Sequence, residues 1–512
     1  MSHHEPQNLP ESHSGTTSLL PHSEFNSDNP INPRIIAGII ATWIATFLAA
    51  ADSTITSTLS ATIAAEFDSL AIISWLGSGY LIGLTATQPL SGKLSDIFGR
   101  RASFCTAASL FTIGNLACGF AHSKILLICA RVITGIGGGG CISIATFIAS
   151  DNVPLHRRGT WQGFSAVVYT TGMGLGAVIG GAINDAVGWR WAFIGIAPIS
   201  LVSVVGVTMF VPKDEHVSSK GFRKLLLRVD FAGSVTLVYA LVLLLVGLNH
   251  EGEQIITRQF IIAVPLGIFL LVVFLLIEAR WAKEPIIPLS LFRQRTVVAS
   301  CLTAWFLSMA FYALTFYVPL YMKQLGYSTS EIGVSLLPDS IGAGLGSFLV
   351  GLVIRVTGKY GIFRYTMPPL VVTASAGFYW ISMETPWVLP EIYLFFKGFG
   401  MGGALTMLIL ALLHAVPHEK HATATSALYA FRSTGSTMGL SAASAVFNSR
   451  LGQSSGAGGV SACAETDECY MYAIRGAFQL ALGCAFAGLV SALFIANYET
   501  RPRGAAVRDV DN

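Results

Sequence analysis

Charge is scarce in this chain. Only 12% of its 512 residues are Asp, Glu, Lys or Arg, where an ordinary soluble domain carries about 25%. With 53% hydrophobic residues and a mean hydropathy of +0.63, the chain cannot cover a water-facing surface. That excludes a soluble globule, and no nucleic acid partner is expected; the net charge of +3 means little as a total. No cleavable leader is expected. Residues 1–34 are polar, rich in Ser, His, Asn and Pro, and have no apolar core, so they are expected to be a disordered tail. The eight cysteines contain no C-x-x-C and no metal-ligand spacing, so no metal is expected. Gly135-Ile-Gly-Gly-Gly-Gly140 satisfies G-x-G-x-x-G, but no strand precedes it and it lies in an apolar run. No Walker loop is present either, so no nucleotide and no cofactor is expected. Scattered Ser, His and Asp residues build no nucleophile motif, and the chain is not read as an enzyme.

What the chain has in abundance is long apolar runs. They fall near 35–62, 73–91, 102–121, 125–150, 161–184, 190–211, 230–249, 259–279, 296–322, 331–354, 365–383, 391–416, 422–447 and 472–496. Most are near the ~20 residues that a helix needs to cross a bilayer. The reading is an all-α polytopic membrane protein with fourteen spans. Basic residues divide unevenly between alternate loops. Lys93, Arg100, Arg101, Arg158, Arg223, Lys224, Arg293, Arg295, Arg364 and Lys420 fall on one side, with others. Lys124, Arg190, Arg258, Lys323 and Arg450 are all that the opposite loops hold. The positive-inside rule then places both termini in the cytosol, which requires an even number of spans.

The sequence also repeats itself. A shift of 259 residues carries Gly92, Gly99 and Arg100 onto Gly351, Gly358 and Lys359, while Asp96 falls on Arg355. A shift of 263 carries Gly135–Gly140 onto Gly398–Gly403, and Gly172 and Gly176 onto Gly435 and Gly439. Two homologous six-helix halves follow, about 35–212 and 295–497. Residues 213–294 form a linker with two extra spans, and 498–512 a second tail.

The charged, glycine-punctuated stretch Gly92-Lys-Leu-Ser-Asp-Ile-Phe-Gly-Arg-Arg101 is read as a short loop between the second and third spans. It resembles the loop at that place in major facilitator superfamily transporters. The two parallel six-helix halves match that organisation, and the two inserted spans resemble the fourteen-span drug:proton antiporter branch. Asp52-Ser-Thr-Ile-Thr, Arg131-Val-Ile-Thr-Gly-Ile-Gly-Gly-Gly, Gly172-Met-Gly-Leu-Gly-Ala-Val-Ile-Gly-Gly181 and Gly188-Trp-Arg-Trp-Ala-Phe193 look like that branch, with Ala177 where its fifth helix commonly has Pro. The resemblance implies a proton-coupled carrier that works by alternating access. It implies that Gly92, Asp96, Gly99, Arg100 and Arg101 control opening and closing, and that Gly172, Gly176, Gly180 and Gly181 are the helix-packing motif of antiporters.

Ionisable residues inside a spanning helix cost about 2.5–3.5 kcal/mol each on insertion scales, so they mark function. Asp52 and Arg131 come first. Counted at ~1.5 Å per residue along helices of opposite direction, they reach similar depth in the half of the bilayer away from the cytosol. They are expected to be coupled, with Asp52 binding and releasing a proton. Asp339, Lys397 and Arg432 are candidates to line the cavity from the second half. Tyr80, Trp305, Tyr312 and Tyr317 are candidates to stack on a cationic or ring-bearing substrate. Cys463 and Cys469 flank an acidic stretch in a loop placed outside the cytosol, where a disulfide can persist.

Asp-Ser-Thr-Ile, Leu19-Leu20-Pro21 and the fourteen-span layout are similar to fungal vacuolar basic amino acid transporters. Basic amino acids or other organic cations, moved into the vacuole, are therefore the favoured cargo. A plasma-membrane exporter of drugs or toxins, a siderophore carrier and a non-transporting nutrient receptor are the alternatives. Expected partners are a small-molecule substrate, protons and the lipid bilayer.

Overall fold

The computed structural model describes residues 33–69, 71–153, 158–212, 231–248, 258–280, 289–357, 359–416, 421–454 and 467–496. Residues 1–32 and 497–512, the linker stretches 213–230, 249–257 and 281–288, Leu19-Leu20 and Cys463 lie outside them. The described residues form fifteen α-helices. In the first half these are α1 (Pro33–Glu66), α2 (Ala71–Phe98), α3 (Arg100–Gly119), α4 (Lys124–Asn152), α5 (Arg158–Val187) and α6 (Trp189–Phe210). Next come α7 (Phe231–Leu248) and α8 (Arg258–Arg280). The second half holds α9 (Arg295–Gln324), α10 (Thr329–Ser335), α11 (Leu337–Thr357), α12 (Phe363–Trp380), α13 (Val388–Ala415), α14 (His421–Ser454) and α15 (Asp467–Leu493).

Among the described residues, ten segments are long and apolar enough to cross a membrane by length and composition. α2, α7, α12 and α14 take the remaining places, which gives the expected fourteen spans because α10 and α11 make one broken span. The break has a local cause. Pro338 has no N–H to continue the helical ladder, so the chain breaks at Leu336 and restarts. Asp339 thereby stands in the first turn of α11.

The loop expected over Gly92–Arg101 is a correction. α2 runs on to Phe98 and α3 begins at Arg100, so Gly99 alone makes the turn, at φ 89° and ψ 147°. Only glycine adopts that backbone region freely.

The repeat is visible in packing. In the first half, Cβ atoms added to Gly83 and Gly135 would overlap the backbones of Val132 and Tyr80 respectively. In the second half, Gly342 and Gly398 stand in the same way against Phe395 and Asp339. The shifts of 259 and 263 residues carry each contact onto its counterpart. The glycine-rich stretch of α4 thus serves close approach to α2 and α3, as Gly137 against Phe111 shows. Helices α7 and α8 pack together through Gly247 and Gly267, and α7 lies beside α2 and α14.

Candidate functional site

The glycines of α5 divide into two rows. Gly172, Gly176 and Gly180, four residues apart, press on Phe47, Ala51 and Ile55 of α1. Gly174 and Gly181, seven apart, face Ser340 and Thr329 of the second half, and Gly333 returns the contact against Ala177. Spacings of four and seven place each row on one helix face. One helix therefore binds its own half and the other half without bulky side chains. Gly92 does not act this way, because an added Cβ would meet Phe147 only at 3.5 Å, an ordinary contact.

That close packing brings α1 to α4 and sets Asp52 beside Arg131. One terminal nitrogen of Arg131, Nη1, donates to both Asp52 oxygens, at 2.9 and 2.8 Å. Arg131 Nε donates to the Leu76 carbonyl at 3.3 Å, and the guanidinium lies 4.8 Å from the Tyr80 ring centroid. The Tyr80 hydroxyl in turn donates to the Ala49 carbonyl at 2.9 Å. Asp52 and Arg131 are buried completely. Tyr80 therefore supports this pair, its face taken by Arg131.

The second half holds its own pair, in a different place. Lys397 of α13 reaches Asp339 Oδ2 at 3.0 Å and donates to Thr315 Oγ1 at 3.2 Å. Its ammonium stands 4.3 Å from the Phe311 ring centroid. Asp339 Oδ1, also buried, has no hydrogen-bond partner. The shifts of 259 and 263 residues carry Asp52 onto Phe311 and Thr315, the two residues that Lys397 touches besides Asp339, and the second carries Arg131 onto Leu394, one helical turn before Lys397; neither charge is kept, and Tyr80 is the counterpart of Asp339.

Among the described residues, Arg432 of α14 has no carboxylate beside it. It lies 5.6 Å from the Tyr429 ring centroid, and its neighbours are tyrosines: Tyr169 of α5, Tyr312 of α9, and Tyr429. Tyr169 stands close to both Arg432 and Tyr312. Tyr312 is half-buried, as is Trp305, whose ring packs against Phe306. Tyr317 is buried in the core with its ring 5.2 Å from Phe447. Tyr169 was not singled out from the sequence. Its signal was there, since the 263-residue shift carries Tyr169 onto Arg432.

At the α2–α3 turn, Arg100 donates to Asp151 Oδ2 at 2.8 Å and to the Ser95 hydroxyl, and stacks over Phe147. Arg101 reaches the Val211 carbonyl at 3.4 Å. The Asp96 side chain lies outside the described residues. On the opposite face, Asp185 Oδ2 accepts from Ser330 N at 2.9 Å and Oγ at 2.6 Å, while Asn184 donates to Thr329 at 3.1 Å. These bonds clasp α5 of one half to α10 of the other. Nearby, Glu66 accepts from Trp189 Nε1 at 2.5 Å and pairs with Arg190 at 2.7 Å, tying α1 to the Gly188 turn before α6. Cys469 is disulfide-bonded, and Cys463, its expected partner, lies outside the described residues. Among the described residues no group of His, Cys, Asp and Glu could hold a metal ion.

Two repeated helical halves around buried ion pairs define a membrane carrier. Residues 42–440 match the model of the Major Facilitator Superfamily, and the chain belongs to that family. It is 34% identical over 74% of its length to the multidrug resistance protein fnx1 of Schizosaccharomyces pombe, covering 72% of that protein. It is 33% identical over 76% to the vacuolar membrane amino acid uptake transporter fnx2 of the same yeast, covering 68%. The vacuolar basic amino acid transporter 2 of Saccharomyces cerevisiae is 31% identical over 74% of this chain and 82% of its own. Among solved structures, a bacterial homologue of the human lysosomal transporter Spinster superposes with a TM-score of 0.63. It has 15% identity and covers 91% of this chain and 98% of its own. A D-xylose–proton symporter gives 0.59, with 15% identity and 90% and 97% coverage. The protein is a multi-pass membrane transporter of small solutes and not an enzyme.

Proposed function

We propose that this transporter is proton-coupled and works by alternating access, and that it moves basic amino acids or other organic cations into the vacuole. One observation carries the reading: each half holds an acid–base pair shut away from solvent, Asp52 with Arg131 and Asp339 with Lys397. Ion pairs inside a spanning bundle add little stability over apolar packing, so their presence points to function. A proton arriving at either carboxylate removes its negative charge and frees the cation, which alters how the helices bearing the pair hold together. Access can then change with protonation.

The uneven basic loops support cytosolic termini. They put the Gly99 turn on the cytosolic side and the Asp185–Ser330 clasp on the other. Arg100, bound to both Asp151 and Ser95, is suited to hold the turn of α2 and α3 in one arrangement. Two relatives with vacuolar amino acid transport in their names favour the vacuole. A second reading, efflux of drugs or toxins at the plasma membrane, is favoured by the multidrug resistance relative and by the efflux pump FUS6 of Gibberella fujikuroi, 30% identical.

The test is uptake of labelled lysine, arginine and histidine, beside a cationic dye, into proteoliposomes under an imposed pH gradient. Gradient-driven amino acid uptake that is lost in Asp52→Asn is the expected result. Dye transport without amino acid uptake would establish the efflux reading. Full proton coupling in Asp52→Asn would remove Asp52 from the mechanism.

A further inference from the structure

Among the described residues two cations are fully buried, and each has a carboxylate: Arg131 has Asp52 and Lys397 has Asp339. Arg432 has none among the described residues, only Tyr169, Tyr312 and Tyr429. A cation held among helices without a counter-charge is costly and is kept where a ligand completes it. The location is informative too. Tyr169 and Arg432 are counterparts in the two halves by the 263-residue shift, yet they are neighbours in space. They therefore meet at the axis that relates the halves, where carriers of this architecture hold their substrates.

We propose that Arg432, with the hydroxyls of Tyr169 and Tyr312, is a carboxylate-binding subsite, so that the cargo is an acid-bearing molecule such as an amino acid and not a plain organic cation. The guanidinium offers a fork of N–H donors that matches a carboxylate, and two phenolic hydroxyls can donate beside it. Tyr169 comes from one half and Arg432 from the other, so a bound carboxylate would bridge the two. A plain cation entering there would meet like charge. A zwitterion would place its carboxylate on Arg432 and its ammonium on the tyrosine faces, which attract cations. The proposal rests on the transport of small organic solutes proposed above and narrows the cargo within it.

The experiment measures equilibrium binding to the purified full-length protein in matched pairs that differ only at the acid. Lysine is compared with cadaverine, its decarboxylated form. Rhodamine 110, a free acid, is compared with rhodamine 123, its methyl ester. Wild type is expected to prefer the acid in at least one pair by roughly tenfold or more, the worth of a charge-assisted contact. Arg432→Gln is expected to bring that ratio near one, Arg432→Lys to keep part of it, and Tyr169→Phe to lower it by a few fold. Size-exclusion profiles and melting temperatures identify any variant that fails to fold, and Tyr169→Phe then carries the test. Acid preference in the dye pair alone would sustain the subsite and overturn the amino acid cargo. Equal binding within both pairs, a preference that survives Arg432→Gln, or no binding of either acid at millimolar concentration would overturn the subsite.

Discussion

Arg131 grips both carboxylate oxygens of Asp52 through a single nitrogen, at 2.9 and 2.8 Å, in a place that solvent does not reach. A guanidinium does not give up its proton in a protein. Any proton exchanged at this pair must therefore be carried by Asp52, and binding it must loosen Arg131. Asp52→Asn leaves Arg131 buried without a counter-charge, which costs about 3–5 kcal/mol where such pairs are broken from one side. The single variant is expected to melt well below wild type, and Asp52→Asn with Arg131→Gln to recover most of the loss without recovering gradient-driven uptake. Thermal melting in detergent and proteoliposome uptake check both halves of this prediction. Uptake restored in the double variant would show that the pair only packs the bundle.

Lys397 engages one oxygen of Asp339 and leaves the other without a partner. Asp339→Leu with Lys397→Met is expected to be more stable than either single change, because the apolar pair leaves no buried charge. Melting curves of the three variants decide it. A double variant that melts as low as the worse single variant would contradict the prediction.

Gly99→Ala forces a side chain into a backbone region that costs of order 1–3 kcal/mol. Lower stability and slower uptake are expected together, since the same residue makes the whole α2–α3 turn. Unchanged melting would mean that the turn relaxes easily.

Glycine-to-alanine changes on α5 and α2 are expected to differ. At Gly176 the new Cβ would lie 2.6 Å from the Ala51 backbone, an overlap that costs roughly 1–3 kcal/mol in a packed interior. At Gly92 it would only touch Phe147, and the gain in helix propensity is up to ~1 kcal/mol. Comparison of melting temperatures tests this, with equal effects as the contrary outcome.

Asp185→Ala removes the acceptor that joins Ser330 to α5. The carboxylate is exposed, so the loss is of order 1 kcal/mol, or roughly fivefold in the balance between clasped and open forms. Ser340→Cys, buried between the halves against Gly174, is expected to react several-fold faster with a membrane-impermeant maleimide in the Asp185→Ala background. An unchanged rate would show that the clasp does not hold that face shut.

Much of this architecture was legible because hydrophobic length and glycine register are local or periodic properties. The apolar runs marked the helices, and two shifts of 259 and 263 residues marked the halves whose packing repeats at Gly83 and Gly342. Asp52 and Arg131 were also legible as a pair, since depth along two helices follows from counting residues. The stretch at Gly92–Phe98 was read as loop because glycine and charge usually punctuate helices. Here the backbone stays helical and one glycine makes the turn. The pairing of Asp339 with Lys397 could not be read, because the repeat offers no counterpart to it in the first half.

By itself, the sequence determined that this is a fourteen-span carrier of two repeated halves, because an apolar run of about 20 residues crosses a bilayer as a helix and a duplicated chain keeps its landmarks. Only the tertiary structure decided which charges neutralise one another. Asp339 lies 58 positions from Lys397 and Tyr169 lies 263 from Arg432, and nothing in spacing alone ties a side chain on one helix to its partner on another. Packing at glycine contacts sets those distances, and among the described residues it leaves Arg432 with tyrosines and no carboxylate.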